Sequence, residues 1–192
     1  EKAPLLYNLA RLQQDMGRRY SFSPNKTLEI AQALYEKHKI LSYPRTDSQY
    51  LSMDVYDEIA EHLESCRFGA FAPAIDKINF TALQADKSYF NDLKVTDHHA
   101  LIPTINADME AAYASLSEDE KSVFDAVVLS LIAIFYPAYE YDATKIIVDI
   151  GGNQFKSAGT TIRSLGYKQL FKNTAEKKAD DLQILPELSE GD

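Results

Sequence analysis

The sequence predicts an α+β, mainly helical fold, and three observations carry that prediction. Apolar residues recur at helical spacing through most of the first 140 or so positions. Helix-start signals open three of those stretches. After about Ala143 the period changes to β-branched runs around a Gly-Gly-Asn turn signal. The 192 residues, 45% of them hydrophobic, are enough for one core, or for one domain and part of another.

Taken in order, PNKTLEIAQALYEKHKI is a helix with Ser23 as its cap and Pro24 at its first position, and Leu28, Ala31, Leu34 and Tyr35 repeat on one face. It delivers the chain into LSYPRTDSQYL, residues 41 to 51. Pro44 disfavours the helical conformation for its predecessor, so Tyr43 is expected in an extended segment. A second helix starts at Ser52, with Asp54, Asp57 and Glu58 near its positive end and Val55, Ile59 and Leu63 turned inward. Residues 69 to 104 read as irregular, and long irregular segments in compact domains are often functional.

Ser117 and Glu120 form a capping box that opens a core helix from Glu118 to about Tyr136, stopped by Pro137. ATKIIVDIGGNQFKSAGTTI then reads as a hairpin turning at Gly151-Gly152-Asn153. These elements divide the chain into a helical part, 1–142, and a β-rich part with an acidic tail, 143–192.

The single cysteine, Cys66, excludes an internal disulfide framework and a cysteine zinc cluster, so a reducing, cytoplasmic setting is expected. The longest apolar run, Ala126 to Tyr136, is shorter than the roughly 20 residues a bilayer span needs. Net charge is -9, which argues against a nucleic-acid binder with a uniformly basic surface. Yet Arg18, Arg19, Lys26, Lys37, Lys39 and Arg45 cluster before and around Tyr43, so a local basic groove is expected on an acidic body. The chain opens on Glu1 without a leader and reads as a piece of something longer.

In an extended segment alternate side chains share a face, so Tyr43, Arg45 and Asp47 should point the same way. A phenol beside a guanidinium suits attack on a phosphodiester. Only on the order of a thousandth of free tyrosine is phenolate at neutral pH, and a nearby cation favours that form and can hold a phosphate oxygen. The plainer alternative is that Tyr43 packs while Arg45 and Asp47 make an exposed ion pair worth at most about 1 kcal/mol. TDHHALIPT, residues 96 to 104, sets two histidines in the irregular region, where one imidazole could meet a phosphate or both could be surface groups. Cys66 is expected to be inert packing.

LSYPRTDSQYL closely resembles the active-site segment of type IA DNA topoisomerases, and DHHALIPT resembles their downstream histidine segment. PLLYNLARLQQD, the AQALYE helix and FKSAGTTIRSLGYKQL follow the same family order. YPRTDS with HHALIPT looks more like the topoisomerase III branch than the topoisomerase I branch. The resemblance implies that Tyr43 is the nucleophile that joins the 5′ phosphate of a cut single strand, without ATP. Arg45 would hold the scissile phosphate, His98 would be the site histidine and His99 the position that varies between branches. Asp47 would orient His98 or Arg45, and Gln32, Thr46 and Ser48 join Arg45 and His98 as expected DNA contacts.

It also implies a Mg²⁺ site in an N-terminal Toprim domain outside this chain, with no metal held by the chain itself. The chain would then be the tyrosine-bearing domain with pieces of the β-rich arch at both ends, its first residues forming a hinge connection. Its partners would be single-stranded DNA and the remaining domains of the same polypeptide, in the cytoplasm at the nucleoid. The alternatives are a single-strand binding or scaffold module without chemistry, and a tyrosine recombinase, whose arginines and histidine precede the tyrosine.

Overall fold

A computed structural model describes residues 1–171. The acidic tail expected after Ala179 lies outside the described residues. The chain forms two compact units, one of Pro4–Phe135 and one of Glu1–Ala3 with the residues from Tyr136 onward. The architecture is helical with a small two-stranded antiparallel sheet.

In the first unit, α1 (Leu9–Tyr20) stands outside the helices expected above. Asn8 caps it by accepting from the Arg11 amide, and Leu9, Leu12 and Met16 follow at helical spacing. Ser21 ends it in the left-handed conformation, φ 57°. Asp15, buried on this helix, takes ion pairs from Arg18 and Arg19 and a hydrogen bond from the Tyr7 hydroxyl.

α2 (Pro24–Glu36) starts as expected, with Ser23 accepting from the Lys26 amide at 3.1 Å. Its buried stripe is Thr27, Ala31 and Leu34, so Ala31 and Leu34 go inward as expected while Thr27 takes the place of Leu28 and Tyr35. Thr27 can go inward because its hydroxyl donates to the Ser23 carbonyl at 3.2 Å. Tyr35 is thereby left half-exposed.

The helix predicted from Ser52 breaks at Glu58 (ψ 2°) into α3 (Met53–Asp57) and α4 (Ile59–Ser65). Val55, Ile59 and Leu63 are nevertheless buried, as the spacing required. The irregular region contains one short helix, α5 (Ala72–Ile75), and isolated 3-10 turns. A further short helix, α6 (Met109–Ala114), leads to the Ser117–Glu120 capping box and α7 (Glu118–Ala133). α7 buries Phe124 and seven smaller apolar residues and ends three residues before the expected Tyr136. α2 packs against both α1 and α7, and these three helices form the core that carries the candidate site.

The second unit is a hairpin of β1 (Glu140–Ile150) and β2 (Asn153–Ser164). The turn residues Gly151 and Gly152 have φ of 60° and 85°, the left-handed pair that a tight hairpin turn needs. At its base Gly166 is obligatory, since a Cβ there would lie 2.2 Å from the Ala138 carbonyl oxygen. Among the described residues no helix is long and apolar enough to cross a membrane.

Candidate active site

The segment from Leu41 to Leu51 runs extended through the first unit, and its burial alternates. Pro44, Thr46 and Ser48 point inward while Arg45 and Asp47 are exposed. This is the two-residue period expected of an extended strand, and it leaves Tyr43, Arg45 and Asp47 on the outer side.

The segment is held from both flanks. At the start of α1, the Leu9 amide donates to the Thr46 carbonyl at 3.2 Å and the Asn8 side chain donates to the Asp47 carbonyl at 3.0 Å. From the histidine segment, Ser42 donates to the Ile102 carbonyl, Ala100 donates to the Tyr50 carbonyl, and Leu41 bridges Pro103. Further along, Leu51 exchanges backbone bonds with Tyr89 and Asn91. No single sheet is formed, yet backbone groups of Ser42, Thr46, Asp47, Ser48, Tyr50 and Leu51 find partners.

These ties bring the histidine segment to Tyr43. The His98 imidazole lies with its ring centre 4.5 Å from that of Tyr43, and Tyr35 meets the same phenol edge-on at 5.5 Å. Gln32, one turn before Tyr35 on α2, accepts a hydrogen bond of 3.3 Å from the Arg45 guanidinium. One face of α2 therefore lines both Tyr43 and Arg45. Beside it a shallow groove of about 430 Å³ is lined by Tyr35, Glu36, Lys39, Leu41 and Thr104.

The remaining expected residues take different places. Arg45 and Asp47 make no ion pair, so the plainer alternative of a surface salt bridge is absent among the described residues. The Asp47 carboxylate is exposed and hydrogen-bonds neither Arg45 nor His98, whereas an orienting bond had been expected. Thr46 and Ser48, expected to touch DNA, are 3% and 5% exposed. Their hydroxyls donate instead to the carbonyls of His98 (2.9 Å) and Lys94 (3.0 Å). His99 turns its Nδ1 to the Ala100 carbonyl.

Of the six basic residues expected to form a groove, Arg18 and Arg19 pair with Asp15 and Lys26 pairs with Asp119. Lys37, Lys39 and Arg45 remain exposed. Sequence reading missed Lys94, whose ammonium donates to the Tyr50 hydroxyl at 3.0 Å and covers that ring. Only the Tyr50–Lys94 proximity reveals it, and nothing local announces that. Cys66 is buried, and burial pushes its thiol up to about 12, which keeps it protonated and inert.

The whole chain, residues 1–192, matches the family model described as DNA topoisomerase. The chain belongs to the DNA topoisomerase family. It is 39% identical to DNA topoisomerase 3 of Bacillus subtilis (strain 168) over 193 residues, covering 99% of this chain and 26% of that protein. The corresponding protein of Bacillus licheniformis is 38% identical with the same coverage. The chain thus spans about a quarter of the length of the curated relatives it matches. These relatives belong to the branch to which YPRTDS and HHALIPT point.

Among solved structures, full-length topoisomerase I from Thermotoga maritima superposes with a TM-score of 0.65 at 24% identity, covering 97% of this chain and 29% of that one. That likeness concerns the fold. Among the described residues no three His, Cys, Asp or Glu side chains cluster to hold a metal ion. The magnesium site that the family resemblance implies was expected in a domain outside this chain.

Proposed function

We propose that this chain is the tyrosine-bearing part of a type IA DNA topoisomerase that cuts and rejoins a single DNA strand through a 5′-phosphotyrosine, relaxing or unlinking DNA without ATP. The observation that carries this reading is the 4.5 Å approach of the Tyr43 and His98 rings, brought about by two segments remote in sequence. Packing alone does not need an imidazole on that exposed side. A phosphate lying across the pair would also be within the sweep of the exposed Arg45 side chain.

The Tyr43 oxygen attacks phosphorus, the bond to the 3′ oxygen breaks, and the phenolic proton leaves to water. The departing 3′ oxygen takes its proton from a group outside this chain. Arg45 and His98 bear on the non-bridging oxygens, where charge must be held while the bonds exchange. Such transfers depend chiefly on in-line positioning and charge stabilisation. The phosphotyrosine keeps the phosphodiester energy, so the 3′ hydroxyl can reverse the step. The helical part, 1–142, would carry this chemistry and the hairpin part, 143–192, would join the arch. By itself the chain would form no adduct, because magnesium and the proton donor belong to the rest of the polypeptide.

In the full-length protein a single strand labelled at its 3′ end should label the protein, and one labelled at its 5′ end should not. Tyr43→Phe should abolish the labelling. Labelling that survives in the variant would place the nucleophile elsewhere. Transfer from the 5′-labelled strand would indicate the 3′ linkage of a recombinase. A variant with full relaxation activity would leave the chain as a binding module.

A further inference from the structure

We propose that Thr46 is a positioning residue, whose buried hydroxyl ties the backbone of His98 to the tyrosine segment and thereby sets the His98 imidazole against Tyr43. The inference rests on the reading above, in which Tyr43 and His98 meet the scissile phosphate.

Thr46 is a node of three hydrogen bonds. Its Oγ1 donates to the His98 carbonyl at 2.9 Å and accepts from the Ser48 amide at 3.1 Å. Its own carbonyl accepts from Leu9 at the start of α1. The hydroxyl has one proton, and the His98 carbonyl takes it. The His98 imidazole is exposed and makes no hydrogen bond among the described residues, so its place follows from its backbone and from the Tyr43 ring. Ser48, through its bond to the Lys94 carbonyl, pins the other end of the same loop. The two inward hydroxyls thus hold residues 94 to 98 to the strand that carries Tyr43.

Thr46→Val keeps the shape and removes the donor, while Thr46→Ser keeps the donor. In the full-length protein, Thr46→Val should slow covalent adduct formation on the order of a hundredfold, the scale of an ångström of misplacement. Its dissociation constant for a non-cleavable single strand should stay within about twofold, and Thr46→Ser should restore the rate. In this chain without DNA, NMR cross-peaks between the Tyr43 and His98 rings should be present in the wild type and Thr46→Ser and lost in Thr46→Val.

An unchanged rate in Thr46→Val overturns the inference. So does a rate that falls while the cross-peaks persist, or a fall in binding that matches the fall in rate. If the valine variant does not fold, Thr46→Ala replaces it, and a wild-type rate without the donor is equally fatal. Adduct formation in a Tyr43→Phe protein would instead sink the underlying reading, and the cross-peaks would still report on the tether.

Discussion

The chain runs extended in two places, and they are built in opposite ways. β1 and β2 pair with each other in regular register from Tyr141 opposite Ile162 to Ile150 opposite Asn153. Their partners are close in sequence, and almost every side chain on both strands is exposed or half-exposed. The Leu41–Leu51 segment has no such ladder. It is secured bond by bond to segments 37 to 62 residues away, with Thr46 and Ser48 turned inward as ties. The hairpin is a local structure that keeps its surface free. The tyrosine segment is a tertiary structure whose outer side chains are placed by what lies beneath them.

That contrast predicts unequal sensitivity to loss of an apolar side chain. Leu51 is fully buried where the tyrosine segment bonds Tyr89 and Asn91. Leu51→Ala should cost about 2–5 kcal/mol, by lost burial and the cavity left behind. Urea unfolding should show it as a lower midpoint. A loss below about 1 kcal/mol would mean that the segment is held by its hydrogen bonds alone.

A smaller effect separates the two regions by pH. His62 on α4 donates from Nδ1 to the Pro103 carbonyl at 2.7 Å, and Pro103 bridges Leu41. Burial lowers the His62 pKa, outweighing the Pro103 bond and the nearby Glu58. With the folded value below the unfolded one of about 6.5, the unfolded chain binds the proton first. Stability from His62 is therefore complete above about pH 6.5 and declines as pH falls towards the folded value. His62→Gln should flatten that part of the stability profile while leaving the rest. An identical slope in the variant would assign the decline to other groups.

What was legible follows the same division. The hairpin turn, the capping box at Ser117 and the shared side of Tyr43, Arg45 and Asp47 all depend on neighbours within a few residues, and local pattern reads them. The approach of His98 to Tyr43 came from family resemblance, because no periodicity relates two segments joined only by tertiary bonds. The inward turn of Thr46 and Ser48 follows from the same alternation that exposes Arg45. Hydroxyls beside a reactive tyrosine suggest a ligand contact, whereas their acceptors at His98 and Lys94 are far along the chain and give no local sign. α1 went unread because its polar positions outnumber the apolar ones on a short helix, and Glu58 gives no local sign of breaking the helix it lies in.

The hairpin supplies the counterpart of Leu51. Phe155 lies opposite Val148 near the turn and is 60% exposed. Phe155→Ser removes a ring that covers little in this chain, so its stability should change by no more than about 0.5 kcal/mol. The measurement is the same urea midpoint, made on the chain alone. A cross-strand aromatic pair with Val148 is worth about 0.2–1 kcal/mol, so a loss at the top of that range would show the pair carrying the ladder by itself. A loss comparable with Leu51→Ala would erase the distinction, because it would require Phe155 to be as deeply packed as the leucine beneath the tyrosine segment.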